Sequence, residues 1–325
     1  MMFITNAKTH AAVPFGLAVI VMLAPALALA LPTINLTNAD YNGTAWSTTG
    51  TITNSFGSVT FQRDATQPAG TGVFNPFLRL DVKGNLGEEQ GYNTSATIAT
   101  GSGNNQTTRK ILDNMSPVNW THDVLISSLQ LTADGLNYQF KLDINEPGSD
   151  KASLLSLDGL KLYSTSIASQ SGETLDNKGN IVDGAGGIVG TKLWDMDAAA
   201  NNGNGTVDRS VLLDATVSGG PGSGVADMLM LVDRKIIDQR VSQGEQYLVL
   251  WSRFGLDQGA RANAALTTAD AGFEEWSFSA KSGTVINPPP PTPGVPAPGT
   301  MSLAMLALIV LGRQYRTRKG SVSVA

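Results

Sequence analysis

A chain of 325 residues with 42% hydrophobic side chains holds enough apolar material for a core, and its 35 glycines, 6% aromatic and 15% charged content suit short strands joined by polar turns better than long helices. It has no cysteine, which excludes disulfides, thiolate metal sites and cysteine nucleophiles, and its only histidines are His10 and His122. The net charge is -5, but residues 1–30 and 301–325 carry five bases and no acid. The remainder has 17 bases against 27 acids, a net charge of -10 that repels nucleic acid and anionic lipid and attracts cations.

Residues 1–30 read as a cleavable signal helix. Lys8 supplies the positive start, Ala11 to Ala26 the apolar stretch, and Ala26-Leu27-Ala28 and Ala28-Leu29-Ala30 two small-x-small processing sites. Cleavage after Ala30 makes Leu31 the first mature residue and removes His10. An uncleaved membrane helix is the alternative.

Residues 31–286 contain no Pro-rich break or charge block and are expected to form one domain. Its strand candidates begin with Gly57 to Gln62 and Phe77 to Val82. Val124 to Leu131, the Asp134-Gly135 turn and Leu136 to Ile144 predict a hairpin. In its second arm Leu136, Tyr138, Phe140, Leu142 and Ile144 alternate with Asn137, Gln139, Lys141 and Asp143, the period of a half-buried strand. Leu157 to Tyr163, Val211 to Val217, Met228 to Val232, Tyr247 to Phe254 and Phe273 to Ala280 follow, separated by Gly- and Asn-rich loops. No long helical period and no fixed repeat appears. The pattern predicts an all-β fold, a two-sheet antiparallel sandwich of jelly-roll-like kind.

Candidate chemistry in this domain is sparse. His122 lacks a nucleophile context and reads as a solvated strand-edge residue. Glu274 and Glu275 are adjacent in a strand, so they point to opposite faces. The expectation is one glutamate at the surface and Trp276 in the core. Asp195, Asp197, Asn202, Asn204 and Asp208 are the strongest polar constellation, arranged around the glycines at 203 and 205. Ala200 and Leu212 stand where an EF-hand needs acids, so the loop is either a calcium site of another kind, with Ca2+ on side-chain oxygens, or an Asn/Gly turn. Tyr92, Trp120, Trp194 and Trp251 are the aromatics that an exposed carbohydrate-binding platform would use.

The C-terminal end has three parts. Residues 287–299 are a Pro-rich linker, residues 301–312 an apolar run, and Arg313, Arg316, Arg318 and Lys319 a basic stop. At ~1.5 Å per residue, about 12–13 residues reach only ~20 Å against a hydrocarbon core of ~30 Å, so a transient signal fits better than a permanent anchor. Val295, Pro296, Ala297, Pro298, Gly299 and Thr300, followed by the apolar run and the basic cluster, resemble the PEP-CTERM sorting signal, although Ala297 stands where that family usually has Glu. Glu89 to Thr94, Leu142 to Glu146, Leu155 to Asp158, Gly222 to Met228 and Gly272 to Trp276 resemble passenger domains of the same system.

The resemblance implies a short C-terminal sorting helix within 300–325, with signal peptidase and an exosortase as partners during export. It also implies transient anchoring in the inner membrane before release to the cell surface, periplasm, outer membrane or extracellular matrix. The function expected is a structural or adhesive component of an exopolysaccharide or biofilm matrix, without catalytic activity and in contact with extracellular polysaccharide. A carbohydrate-binding module is the alternative.

Overall fold

The computed structural model describes residues 33–281, apart from 42, 65–74, 82–86, 101–106, 110, 115–119, 147–152, 177–179, 184–186, 188, 200–206, 218–225, 242, 256–268 and 270–272. The signal segment 1–30, the linker 287–299, the sorting segment 300–325, and Asn202 and Asn204 lie outside these residues. Among the described residues no helix is long and apolar enough to cross a membrane.

The described residues form a mostly-β structure. In chain order the strands are β1 (Ile34–Asn35), β2 (Thr49–Asn54), β3 (Gly57–Arg63), β4 (Pro76–Leu80), β5 (Glu89–Tyr92), β6 (Ile98–Thr100), β7 (Thr107–Arg109) and β8 (Val124–Leu125). Then come β9 (Asn137–Ile144), β10 (Leu154–Thr165), β11 (Thr174–Leu175), β12 (Ile181–Val182), β13 (Thr191–Asp195) and β14 (Val211–Asp214). β15 (Met228–Asp233), the helix α1 (Arg234–Val241), β16 (Tyr247–Phe254) and β17 (Glu274–Phe278) complete the order.

A six-stranded sheet runs β2-β3-β15-β9-β17-β4, antiparallel throughout. A seven-stranded sheet runs β1-β14-β10-β16-β5, with β13 also paired to β10 and β8 to β16. Its one parallel pair joins β1 to β14. β6 with β7, and β11 with β12, make two small separate hairpins.

Alternation decides which side chains meet between the sheets. Tyr138, Phe140, Leu142 and Ile144 are all buried along β9, and Phe61, Met230 and Trp276 on neighbouring strands join them in one apolar cluster. Leu248, Leu250 and Phe254 of β16, and Leu160 and Leu162 of β10, enter that cluster from the larger sheet. Phe61 and Trp194 meet across the sheets with ring centroids 6.4 Å apart, and the Trp276 indole donates to Ser252 Oγ at 3.1 Å. Trp276 is thus a core residue whose one polar atom is satisfied.

Several sequence expectations are corrected here. Leu136 lies before β9 and is 60% exposed, so the buried set starts at Tyr138. The expected hairpin shrinks to one bridge, Leu131 opposite Tyr138. Val124 and Leu125 pair with β16 instead, because Ile126 and Leu129 turn into the core through a 3-10 turn at Ile126–Ser128 and carry the chain between sheets. α1, which no periodicity announced, is one short helix that buries Ile236 and Ile237. Asp233 Oδ1 accepts the Lys235 N–H at its start, and Arg234 pairs with Asp238 at 2.7 Å.

Phe140 is fully buried, packs at a tilt against Phe77 with ring centroids 6.3 Å apart and sits opposite Met230 and Phe278 in the register. Phe140→Ala should cost about 3–5 kcal/mol in denaturant unfolding. A loss below about 1 kcal/mol would show that this face is not the core.

Candidate functional site

The larger sheet is covered on both faces. Its outer face carries a second apolar cluster of Tyr92, Ile111, Tyr163, Ile181, Val189, Val249 and Trp251, and Ile98 and Leu175 from the two small hairpins pack against it. Two bonds hold the covering chain down. The Tyr92 hydroxyl donates to Gly172 O at 2.8 Å, and the Thr94 hydroxyl donates to Gln170 O at 2.6 Å. Burial raises the Tyr92 pKa above that of an ordinary phenol, and the nearby Glu173 charge adds to the effect, so the hydroxyl stays a donor.

Where this cover ends, a cleft of about 380 Å³ opens, lined by Gln90, Leu112, Glu173, Thr174, Leu175, Ile181, Trp251 and Arg253. Its floor is a product of register. Arg253 faces Gln90 and Trp251 faces Tyr92 across β16 and β5, two rows of the outer face. Gln90 is fixed in turn, its N–H donating to Asp113 Oδ2 at 2.9 Å. The indole lies close over the sheet because residue 159 is glycine: a Cβ there would stand 2.7 Å from Trp251 Cζ3. Lys161 and Arg253 sit over the indole with charge-to-centroid distances of 5.4 and 5.8 Å. Trp251 Nε1 and Arg253 Nε are buried without a hydrogen-bond partner.

Four residues of this cleft, Gln90, Glu173, Thr174 and Arg253, were not among the sequence candidates. The signal available was a polar residue two positions from each buried aromatic, Gln90 before Tyr92 and Arg253 after Trp251, which period two puts on one face. The aromatics that were singled out form no exposed platform. Tyr92, Trp194 and Trp251 are buried, and Trp120 is half-buried with the Arg79 guanidinium 3.8 Å above its ring.

The glutamate pair behaves differently from the expectation. Glu274 and Glu275 do point to opposite faces, but both are buried. Glu275 is bound by Arg79, which is also stacked on Phe273 at 3.9 Å. Glu274 turns inward beside Glu89 and Glu146. Burial, then the charge and hydrogen bond of Glu89, push its carboxyl well above the usual range.

The first carboxylate of the loop weighed as a calcium site or an Asn/Gly turn is met by cations of the larger sheet. Asp195 accepts from Lys161 Nζ at 2.8 Å and Lys192 Nζ at 2.9 Å. Burial alone would raise its pKa, but the two ammonium groups outweigh it and hold the group ionised. Asp197 Oδ1 accepts the Arg209 N–H at 3.1 Å, and the Arg209 guanidinium donates to Met196 O and Ala198 O at 2.6 and 2.7 Å. Asp208 is exposed, and Asn202 and Asn204 lie outside the described residues. Asp195 is thus already paired with two ammonium groups. Among the described residues no group of three or more carboxylates or imidazoles is arranged to hold a metal ion.

His122 is half-buried, with Nδ1 3.0 Å from its neighbour's carbonyl, Asp123 O. The Asp123 carboxylate accepts from the Ser169 N–H and is engaged there rather than with the imidazole. No protein-family model, no curated protein and no solved structure matches this chain.

Asp227 is the clearest titrating group. Burial pushes its carboxyl up to about 8, and the charges of Asp143, Asp214 and Asp64 add to this against the opposing Ile144 N–H bond to Oδ2 at 2.8 Å. A raised carboxyl binds its proton more tightly in the folded state, so the stability it contributes is full below the unfolded range near pH 4 and is lost as pH rises through about 8. The unfolding midpoint should fall between pH 5 and 8, and Asp227→Asn, which keeps an acceptor for Ile144, should flatten that fall. An unchanged slope in the variant would show that Asp227 does not titrate in this window.

Proposed function

We propose that this chain is an exported, non-enzymatic component of an extracellular polymer matrix, with a structural or adhesive role, built on a two-sheet, jelly-roll-like sandwich. The observation that carries the reading is the pairing of an acidic β domain with two terminal segments of export type. A basic start and Ala-x-Ala sites stand before it, and a Pro-rich linker, apolar run and basic stop stand after it.

The arrangement of side chains supports a holding role. The carboxylates that gather in the described residues are engaged with cations, as at Glu275 and Asp195, or buried, as at Glu274 and Asp227, where a polymer chain does not reach them. The burial of Tyr92, Trp194 and Trp251 favours the matrix role over a module that binds polymer on a flat aromatic platform. Exposed positions on the smaller sheet are instead hydroxyl-rich: Thr51 meets Thr60 and Thr53 meets Ser58, each at 2.9 Å.

Cell fractionation and the intact mass of the mature protein test the reading. Leu31 should be the first residue, the apolar tail should be missing, and the processed form should co-sediment with extracellular polymer. Ala297→Glu should keep or improve processing. A full-length membrane form as the only species overturns the proposal.

A further inference from the structure

A pair of carboxyls joins the two sheets through the core. On β17, Glu274 sits opposite Leu80 and Ile144, and on β5, Glu89 sits opposite Phe254. Those three partners belong to the core, and residues directly opposite in a ladder share a face, so both glutamates point into the space between the sheets. They meet there in a side-chain hydrogen bond, each 2% exposed. An ionised carboxylate only accepts, so a hydrogen bond between two carboxyls exists only while one of them holds a proton.

We propose that Glu89 and Glu274 are a proton-operated clasp between the two sheets, closed while the pair holds one proton and released when both ionise. The device goes beyond the matrix reading above and does not rest on it. Its place in the fold makes it a clasp. Glu89 belongs to the larger sheet and Glu274 to the smaller, on the side where the edge strands β5 and β4 come together. The chain at 111–114 stitches that side: the Asp81 N–H donates to Asp113 O, the Asp113 N–H to Gln90 O, and Asn114 Nδ2 to Tyr92 O. β5 is four residues long and pairs within its sheet with β16 alone, so few ladder bonds resist its departure.

Charge sets the direction. Among the described residues, the charges acting on Glu274 are those of Glu89 on β5 and of Glu146 just after β9, itself 2% exposed, while β4 and β9 present Leu80 and Ile144. Arg79, Glu275 and Asp143 stand one residue along on the opposite face, and Asp227 of the β15 side is bound to the Ile144 N–H. With one proton the pair is an O–H···O⁻ bond, charge-assisted and strengthened by the low dielectric between the sheets. With none, three carboxylates face a dry space in which like charges repel far more strongly than in water. Burial, then Glu89, holds the Glu274 proton more tightly in the folded state, so the stability it contributes is full below the unfolded range of about pH 4 and is lost as pH rises through the folded value. The two carboxyls titrate as a unit, and the loss belongs to the pair.

Hydrogen exchange of the purified full-length chain tests the clasp, read peptide by peptide by mass spectrometry between about pH 5 and 9 and corrected for the intrinsic pH dependence of exchange. Peptides over β5 and β17 should lose protection as pH rises, by up to about tenfold per pH unit, the limit for release of one proton, while β10 keeps its protection. Glu89→Gln and Glu274→Gln each supply an amide donor that needs no titrating proton, so either variant should hold β5 and β17 protected across the range. Glu146→Gln removes one of the three charges and should move the loss to higher pH. Protection of β5 and β17 that does not change with pH, or a loss shared equally by β10, overturns the assignment. So does a loss that persists in both glutamine variants, or its suppression by millimolar Ca2+ at fixed pH, which would make a cation and not a proton the link between the carboxylates.

Discussion

The structure depends on a sheet that must be dry on both sides. β10 is buried along almost its whole length, from Leu155 to Thr165, and β16 nearly so. One face is explained by the apolar cluster shared with the smaller sheet. The other has to be covered by something else, and the pairs β6–β7 and β11–β12, with Ile111, Leu112 and Val189, supply that cover. Tyr163 and Trp251 are the consequence: aromatics on what would otherwise be the wet side of an antiparallel sheet. A cover assembled from two separate excursions has a seam, and the cleft lies at that seam.

Buried charge is arranged by the same geometry. Where a carboxylate faces outward under the cover or a loop, a cation reaches it: Lys161 and Lys192 for Asp195, Arg79 for Glu275. Where a carboxyl faces the space between the sheets, as Glu274 does, other acids are its neighbours, and protonation rather than pairing makes burial tolerable. Burial lowers the pKa of Arg79 against the opposing pull of Glu275, the mirror image of the same effect, yet a guanidinium stays charged and stacks on Trp120 and Phe273. The domain therefore mixes ion pairs that fix side chains in place with acid clusters whose burial is costly when ionised.

Strands with one dry face were legible in the sequence. β9 and β15 lie within a residue or two of where the sequence put them, because each presents a single apolar row to the core, and β16 matches as a continuous apolar run buried on both faces. β5 was missed as a strand: it is four residues long and includes Gly91, whose missing side chain lets Leu80 of the opposite sheet come in, since a Cβ there would stand 2.5 Å from Leu80 Cδ2. β10 was read too short because its second buried face breaks the alternation with Gly159 and Lys161. The burial of Glu274 and Glu275 was not legible, since the groups that receive them are distant in sequence: Arg79 comes through the pairing of β17 with β4, and Glu89, on β5, comes from the opposite sheet. The cleft draws on β5, β11, β12 and β16, so no local pattern could have shown it.

The place of β17 has a mechanical consequence. It is the last strand before the linker, and it is not at an edge: β9 lies on one side and β4 on the other. Antiparallel hydrogen bonds run across the strand direction. A pull along β17 from the C-terminal side therefore strains its bonds to both neighbours together, in shear, instead of opening them one after another like a zip. At the other end β1 pairs through two residues only, parallel to β14 at the sheet's rim, and a pull there meets far less resistance. A protein tethered through its C-terminal linker would carry load by its strongest seam, and one held by its start would yield at its weakest.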